Sequence, residues 1–260
     1  MIDAKISEVF LDFPEKGERK VWIYVPQHEE DSLLPVIYMT DGQNLFYEDS
    51  TPHGSWGVIE AIENEIKLSG KSAIVVGIDN GNMYRDNELT PKTIGEVHHR
   101  GYFRDDFTPQ GEIFDSFLMS VVVPYVEENY PVLRERSATA VCGSSSGGLQ
   151  AFFEGVEHSD KFSIIGAFSP AFLLYTREDW QKYLAEKMCE DMPYLYLFSG
   201  AGDELEALIF ESTEMMYDLL PEMGYPYNKM CEILLLEKQH NEKTWKEIFP
   251  DFLHTFLAQN

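Results

Sequence analysis

Short, continuous apolar runs punctuate the chain. Each closes on small or polar residues, and between them lie longer segments whose apolar positions recur every three or four residues. Residues 34–40, 73–78, 137–142, 162–168, 194–198 and 229–236 are runs of the first kind. A strand covered on both faces has this pattern, because neither face is left for polar side chains. Residues 56–68, 111–129, 146–157, 177–188, 205–223 and 241–257 have the spacing of helices with one buried stripe. In the first of these the stripe is Val58, Ile59, Ile62 and Ile66, with Ser55 expected as N-cap. In the last it is Trp245, Ile248, Phe249, Phe252, Leu253 and Phe256. Residues 5–12 and 19–25, on either side of a turn-rich segment, predict an antiparallel pair. Strands alternating with helices predict right-handed βαβ units, hence a mostly parallel central sheet with helices on both faces. No repeat, low-complexity tract or Gly/Ser linker divides the 260 residues, so one domain over 1–260 is expected.

Ligand sites in such sheets lie beyond the carboxyl ends of the strands. Four polar groups fall there: Asp41-Gly42-Gln43, Ser145, Asp203 and His240. Ser145 is the centre of Gly143-Ser144-Ser145-Ser146-Gly147, a G-x-S-x-G pattern between a predicted strand and a predicted helix. The chain must reverse within a few residues, and small residues two before and two after the tip let the backbones pass. Of the three serines, only Ser145 has glycine at both positions. The pattern is the nucleophile elbow of α/β-hydrolases, whose triad follows in the order Ser, acid, His. Ser145, Asp203 and His240 obey that order.

Acyl transfer from an ester needs a nucleophile, a base, an orienting acid and oxyanion donors. His240 lies on a strand-to-helix loop, whereas His254 falls inside the last helix and is expected at its surface. Gly200 and Gly202 allow a tight turn that aims Asp203 at His240, leaving Glu204 as a first-turn carboxylate of the next helix. The backbone N–H groups of Gln43 and Ser146 are the expected oxyanion donors.

Three segments resemble one family: Tyr38-Met-Thr-Asp-Gly-Gln-Asn-Leu-Phe46, Cys142-Gly-Ser-Ser-Ser-Gly-Gly148 and His240-Asn-Glu-Lys-Thr-Trp245. It is the esterase family of the α/β-hydrolases that includes esterase D, enterochelin esterases and several carbohydrate esterases. Arg85-Asp-Asn-Glu-Leu-Thr-Pro91 resembles its R-x-x-E-[YL]-T-P segment, and Trp56 matches a tryptophan common downstream of the first motif. The resemblance spans nearly the whole chain. It implies a serine carboxylesterase with Ser145 as nucleophile, His240 as base, and Asp203 at the acid position of a G-x-x-[DE] pattern. Trp56, Arg85, Glu88 and Tyr102 are its candidate substrate-binding residues. In the elbow this chain departs from the family, whose residue at position 146 is often Met or another large side chain.

Charge and composition narrow the partners. A net charge of −25 repels nucleic acid and anionic lipid surfaces. Cys142, Cys189 and Cys231 fit no zinc spacing and no disulfide framework. Residues 1–10 lack the pattern of a signal peptide, and no stretch approaches the ~18 apolar residues of a membrane helix, so a cytoplasmic location is expected. Residues 79–110 form a long irregular stretch, expected to wall the pocket. Its adjacent His98 and His99 would point apart in an extended chain and have no third ligand, so neither metal nor cofactor is expected. About 22 residues separate Pro170 from Pro193, enough for one helix and no large lid. The expected substrate is a small-molecule ester, short-chain acyl or aryl, of carbohydrate or a similar polar alcohol. A siderophore trilactone, or a non-catalytic binding protein of the same fold, are the alternatives.

Overall fold

The computed structural model describes residues 1–98 and 103–259. Its frame is an eight-stranded sheet in the order β1-β2-β4-β3-β5-β6-β7-β8. β1 (Lys5–Phe13) and β2 (Gly17–Val25) form the antiparallel pair, paired from Lys5↔Val25 to Phe13↔Gly17. β2 joins β4 (Ile74–Ile78) antiparallel. From there β3 (Val36–Thr40), β5 (Thr139–Ser144), β6 (Ile164–Phe168), β7 (Tyr194–Gly200) and β8 (Met230–Leu235) run parallel.

Alternate residues of the buried strands feed two cores. Ile37, Met39, Val75, Cys142 and Phe198 face α1 (Val58–Ser69) and α8 (Glu242–Ala258). Tyr38, Val76, Val141, Ile165 and Leu197 face the opposite layer. That layer contains α5 (Ser146–Glu157), α6 (Arg177–Lys187) and α7 (Glu204–Glu222). Both faces are covered, which is why the strands are apolar without a break.

Two local expectations shift. The helix expected from residue 56 starts at Val58, with Gly57 rather than Ser55 at the N-cap in a left-handed conformation (φ 59°). Hydrogen bonds from Trp56 N to Asn44 O and from Val58 N to Leu45 O hold the chain against the β3 loop until that point. Ser55 Oγ instead accepts from Gly57 N. The helix expected over 111–129 is α3 (Gly111–Phe117) and α4 (Val123–Asn129) joined by one π turn, Leu118–Val122. Among the described residues of 79–110, a 3-10 turn (Asn82–Tyr84) leads into a short helix, α2 (Arg85–Glu88). Among the described residues, no helix is long and apolar enough to cross a membrane.

Candidate active site

Ser145 sits at the reversal from β5 to α5 with φ 58° and ψ −127°, a conformation that L-residues rarely adopt. Its surroundings hold it there. Ser145 N donates to Phe168 O at 3.0 Å, and its carbonyl accepts from Leu149 N and Ala171 N. A Cβ on Gly143 would lie 2.4 Å from Thr40 Oγ1, and one on Gly147 would lie 2.2 Å from the same atom. The two glycines are therefore required by the approach of β3 to the turn.

His240 reaches the same place from the loop between β8 and α8, whose N-cap is Asn241. Its Nδ1 lies 2.5 Å from Oε2 of Glu206, which is wholly buried in the first turn of α7. The other carboxylate oxygen of Glu206 accepts from Ser169 Oγ and Gly200 N, both at 2.6 Å. Trp245 stands edge-on to the imidazole, with ring centres 5.2 Å apart, and donates from Nε1 to Ser169 Oγ. With Nδ1 committed to Glu206, Nε2 is the nitrogen left for the cleft that Ser145 and His240 both line.

Asp203 is placed otherwise than expected. It is the N-cap of α7: Oδ1 accepts from Glu206 N at 2.9 Å, and Oδ2 from His240 N at 2.8 Å. Partial burial works to raise its pKa. The backbone N–H bonds and the nearby imidazole outweigh this and hold it below the usual carboxylate value. Asp203 thus ties the backbone of the histidine loop to the start of α7, while the imidazole faces Glu206. Glu204 stays exposed in the first turn.

Glu206 was not among the sequence candidates, but a signal was present. It falls on the buried stripe of α7 with Ile209, Thr213, Met216 and Leu220. A carboxylate on a buried stripe requires a partner. Asp203-x-x-Glu206 also has capping-box spacing, in which the glutamate would fold back onto the N-cap backbone. Here it turns instead to Ser169, Gly200 and His240.

The predicted binding residues divide. Arg85 does line the cleft, but its guanidinium is committed: Nε and Nη2 hold the two oxygens of Asp41 at 2.6 and 2.7 Å, and Nη2 also reaches Ser144 O. Burial works to lower the pKa of Arg85, and the charge of Asp41 overrides this and raises it. Asp41 itself is buried, in the left-handed region (φ 55°), so the pair clamps the β3 loop against the elbow. Glu88 lies outside the cleft, where both its oxygens pair with Arg19 at 2.8 Å and pin α2 to β2. Trp56 is 2% exposed and packs beneath Trp245, at 5.6 Å. It is a core residue. Gln43 is half-buried and accepts from Asn80 N through its side chain, while its neighbours Asp41 and Asn44 line the cleft. Tyr102, His99 and Arg100 lie outside the described residues.

The cleft has a volume of about 430 Å³. Its apolar lining is Phe103, Ala171, Leu173, Leu174, Leu205 and Ile209. Its polar lining includes Asn44, Asn80, Asp86 and Glu242. Asp86 accepts from Ser146 Oγ at 2.9 Å, and Glu242 from Asn44 Nδ2 at 3.1 Å.

A strained serine on a strand-to-helix turn and a histidine backed by a buried carboxylate, at the carboxyl ends of a mostly parallel sheet, define a hydrolase of the α/β-hydrolase fold. Residues 15–195 match the model of the Esterase family, described as "Putative esterase". The chain belongs to that family and is a carboxylic ester hydrolase. It is 24% identical over 250 residues to the uncharacterized protein YbbA of Bacillus subtilis (strain 168), covering 94% of each chain. A ferulic acid esterase of Anaeromyces mucronatus, solved with ferulic acid, superposes with a TM-score of 0.73 at 22% identity, covering 100% of this chain and 93% of that one. The enterobactin esterase of Shigella flexneri, solved in the presence of enterobactin, gives 0.73 at 19%, covering 99% of this chain and 60% of that one.

Proposed function

We propose that the protein is a serine esterase cleaving short-chain acyl or aryl esters of carbohydrate or a similar polar alcohol, with Ser145, His240 and Glu206 as its triad. The observation that carries this reading is the Glu206–His240 contact beside the strained Ser145, all at one mouth of the sheet. His240 Nε2 takes the proton of Ser145 Oγ as that oxygen attacks the ester carbonyl. Glu206 holds Nδ1–H and stabilises the imidazolium that forms. The oxyanion is received by the N–H of Ser146, the first residue of α5, and by that of Gln43 on the β3 loop. His240 then protonates the departing alcohol, and water, activated in the same way, releases the acid from Ser145.

The apolar lining of Leu173, Leu174, Leu205 and Ile209 suits a short acyl or aromatic acyl group, and Phe103 can stack on a ring. The polar lining suits the hydroxyls of the alcohol. Its carboxylates, Asp86 and Glu242, disfavour a ferric siderophore, a large polyanion. Among the described residues, Arg85 is paired with Asp41 and Arg104 with Asp106. Measuring kcat/KM for acetylated sugars, feruloyl esters, a long-chain ester and ferric enterobactin tests the reading. Highest values are expected for the first two. A preference for the ferric siderophore that weakens as salt is raised would overturn it.

A further inference from the structure

The helix that begins behind the nucleophile carries a second cluster of chemical groups, on its other end. Glu154 and His158 are four residues apart at the end of α5, so their side chains share one face. Asp115 meets them from α3: His158 Nε2 lies 2.5 Å from Asp115 Oδ1. One donor atom from each of the three side chains lies within 4.8 Å of the other two. Glu154 is wholly buried. Its Oε1 accepts from Gln150 Nε2 at 2.6 Å, and its Oε2, also buried, meets no N–H donor. The Glu154 carboxyl instead shares a hydrogen bond with that of Asp115, and two carboxyl groups brought together in a buried place are relieved by a cation between them. Asp115 and His158 are 23% and 26% exposed, so the cluster opens to solvent on one side. None of the three lines the catalytic cleft.

We propose that Asp115, Glu154 and His158 form a binding site for a divalent transition-metal ion, with Zn²⁺ the best match. Two carboxylate oxygens and one imidazole nitrogen are the donor set zinc accepts, and three protein ligands leave the fourth position for water on the open side. The two carboxylates balance the charge of the ion. Two ligands one helical turn apart and a third from the neighbouring helix make a staple between α5 and α3. The ion would therefore hold the helix behind the nucleophile against the end of the long 79–110 segment, without touching the ester.

The test uses the full chain, stripped with a chelator and dialysed, with ZnCl₂ as the probe. Calorimetric titration is expected to show one Zn²⁺ per chain. At a hundredfold excess over Kd the Tm should rise by about 5 °C or more. His158→Gln and Asp115→Asn should each weaken Zn²⁺ binding by roughly tenfold or more while the metal-free Tm stays within a few degrees of the parent. Glu154→Gln keeps the shape of the buried group and should weaken binding similarly. Hydrolysis of an aryl ester by the stripped protein should continue. Absence of zinc binding, unchanged affinity in all three variants, or an equal Tm rise with Mg²⁺ would each overturn the assignment, the last because the imidazole would have no part in it.

Discussion

Nδ1 of His240 and Oε2 of Glu206 lie 2.5 Å apart, with the glutamate wholly buried and its other oxygen held by Ser169 and Gly200. An acid placed in this way fixes both the tautomer and the tilt of the imidazole. Glu206→Gln should therefore lower kcat by ~10³–10⁴ with KM little changed. Asp203 bonds the backbone of the histidine loop rather than the ring. Asp203→Ala should cost about 1 kcal/mol of stability through the lost cap, and much less activity than Glu206→Gln. Thermal melts and kcat for the two variants decide the matter. A larger activity loss at position 203 would return the acid role to Asp203.

The sheet and its helices are legible in the sequence because both faces of the strands are covered, so their apolar runs stand out from the periodic helices. The candidates Ser145 and His240 are legible for a related reason: Ser145 follows β5 directly and His240 lies on the loop after β8, at the strand ends where a parallel sheet presents its ligands. Glu206 is not, because it stands one turn inside α7 among apolar neighbours, where the preceding Asp203 offers a more obvious carboxylate. Trp56, Arg85 and Glu88 show a further limit. A motif marks them, but only the fold shows that Trp56 lies beneath Trp245, that Glu88 faces Arg19 and that Arg85 is occupied by Asp41.

The proposed nucleophile, Ser145, can be separated from its two serine neighbours. Ser145→Ala should lower kcat by ~10⁴–10⁶ and leave Tm near that of the parent, because the turn is held by backbone bonds and by its glycines rather than by the hydroxyl. Ser146→Ala removes a hydroxyl that donates to Asp86 but keeps the backbone N–H, so most activity should survive. Mass spectrometry of a fluorophosphonate-treated sample should place the adduct on Ser145. An adduct on Ser144 or Ser146 contradicts the assignment.

Arg85 makes a different prediction from that of an anion-binding residue. Its fork holds Asp41, which is 5% exposed, and removing one partner of such a pair leaves a buried charge uncompensated. Arg85→Met should cost about 3 kcal/mol, lowering Tm by roughly 6–12 °C, and reduce kcat by loosening the β3 loop. The ratio of kcat/KM between neutral and anionic esters should stay nearly constant. A selective loss on anionic esters with stability intact would show that Arg85 binds substrate directly.

The edge of the sheet carries a pH-dependent penalty. Glu232 on β8 has an oxygen without a hydrogen-bond partner. Burial, together with the charges of Glu214 and Asp218, pushes its pKa up to about 7 from the ordinary 4.5. Between those two values the folded protein holds a proton that the unfolded chain has released. Stability therefore falls as pH rises through this window, and the full penalty is present above pH 7. Below about pH 4.5 both states are protonated and the penalty vanishes. Because the side chain is partly exposed, screening reduces the effect to about 1 kcal/mol. Glu232→Gln should thus raise Tm by about 2–4 °C at pH 8 and leave it unchanged near pH 4. Melting curves of parent and variant at the two pH values measure the difference. A gain of equal size at both would mean that the glutamine packs better and that the charge of Glu232 is not what weakens the edge.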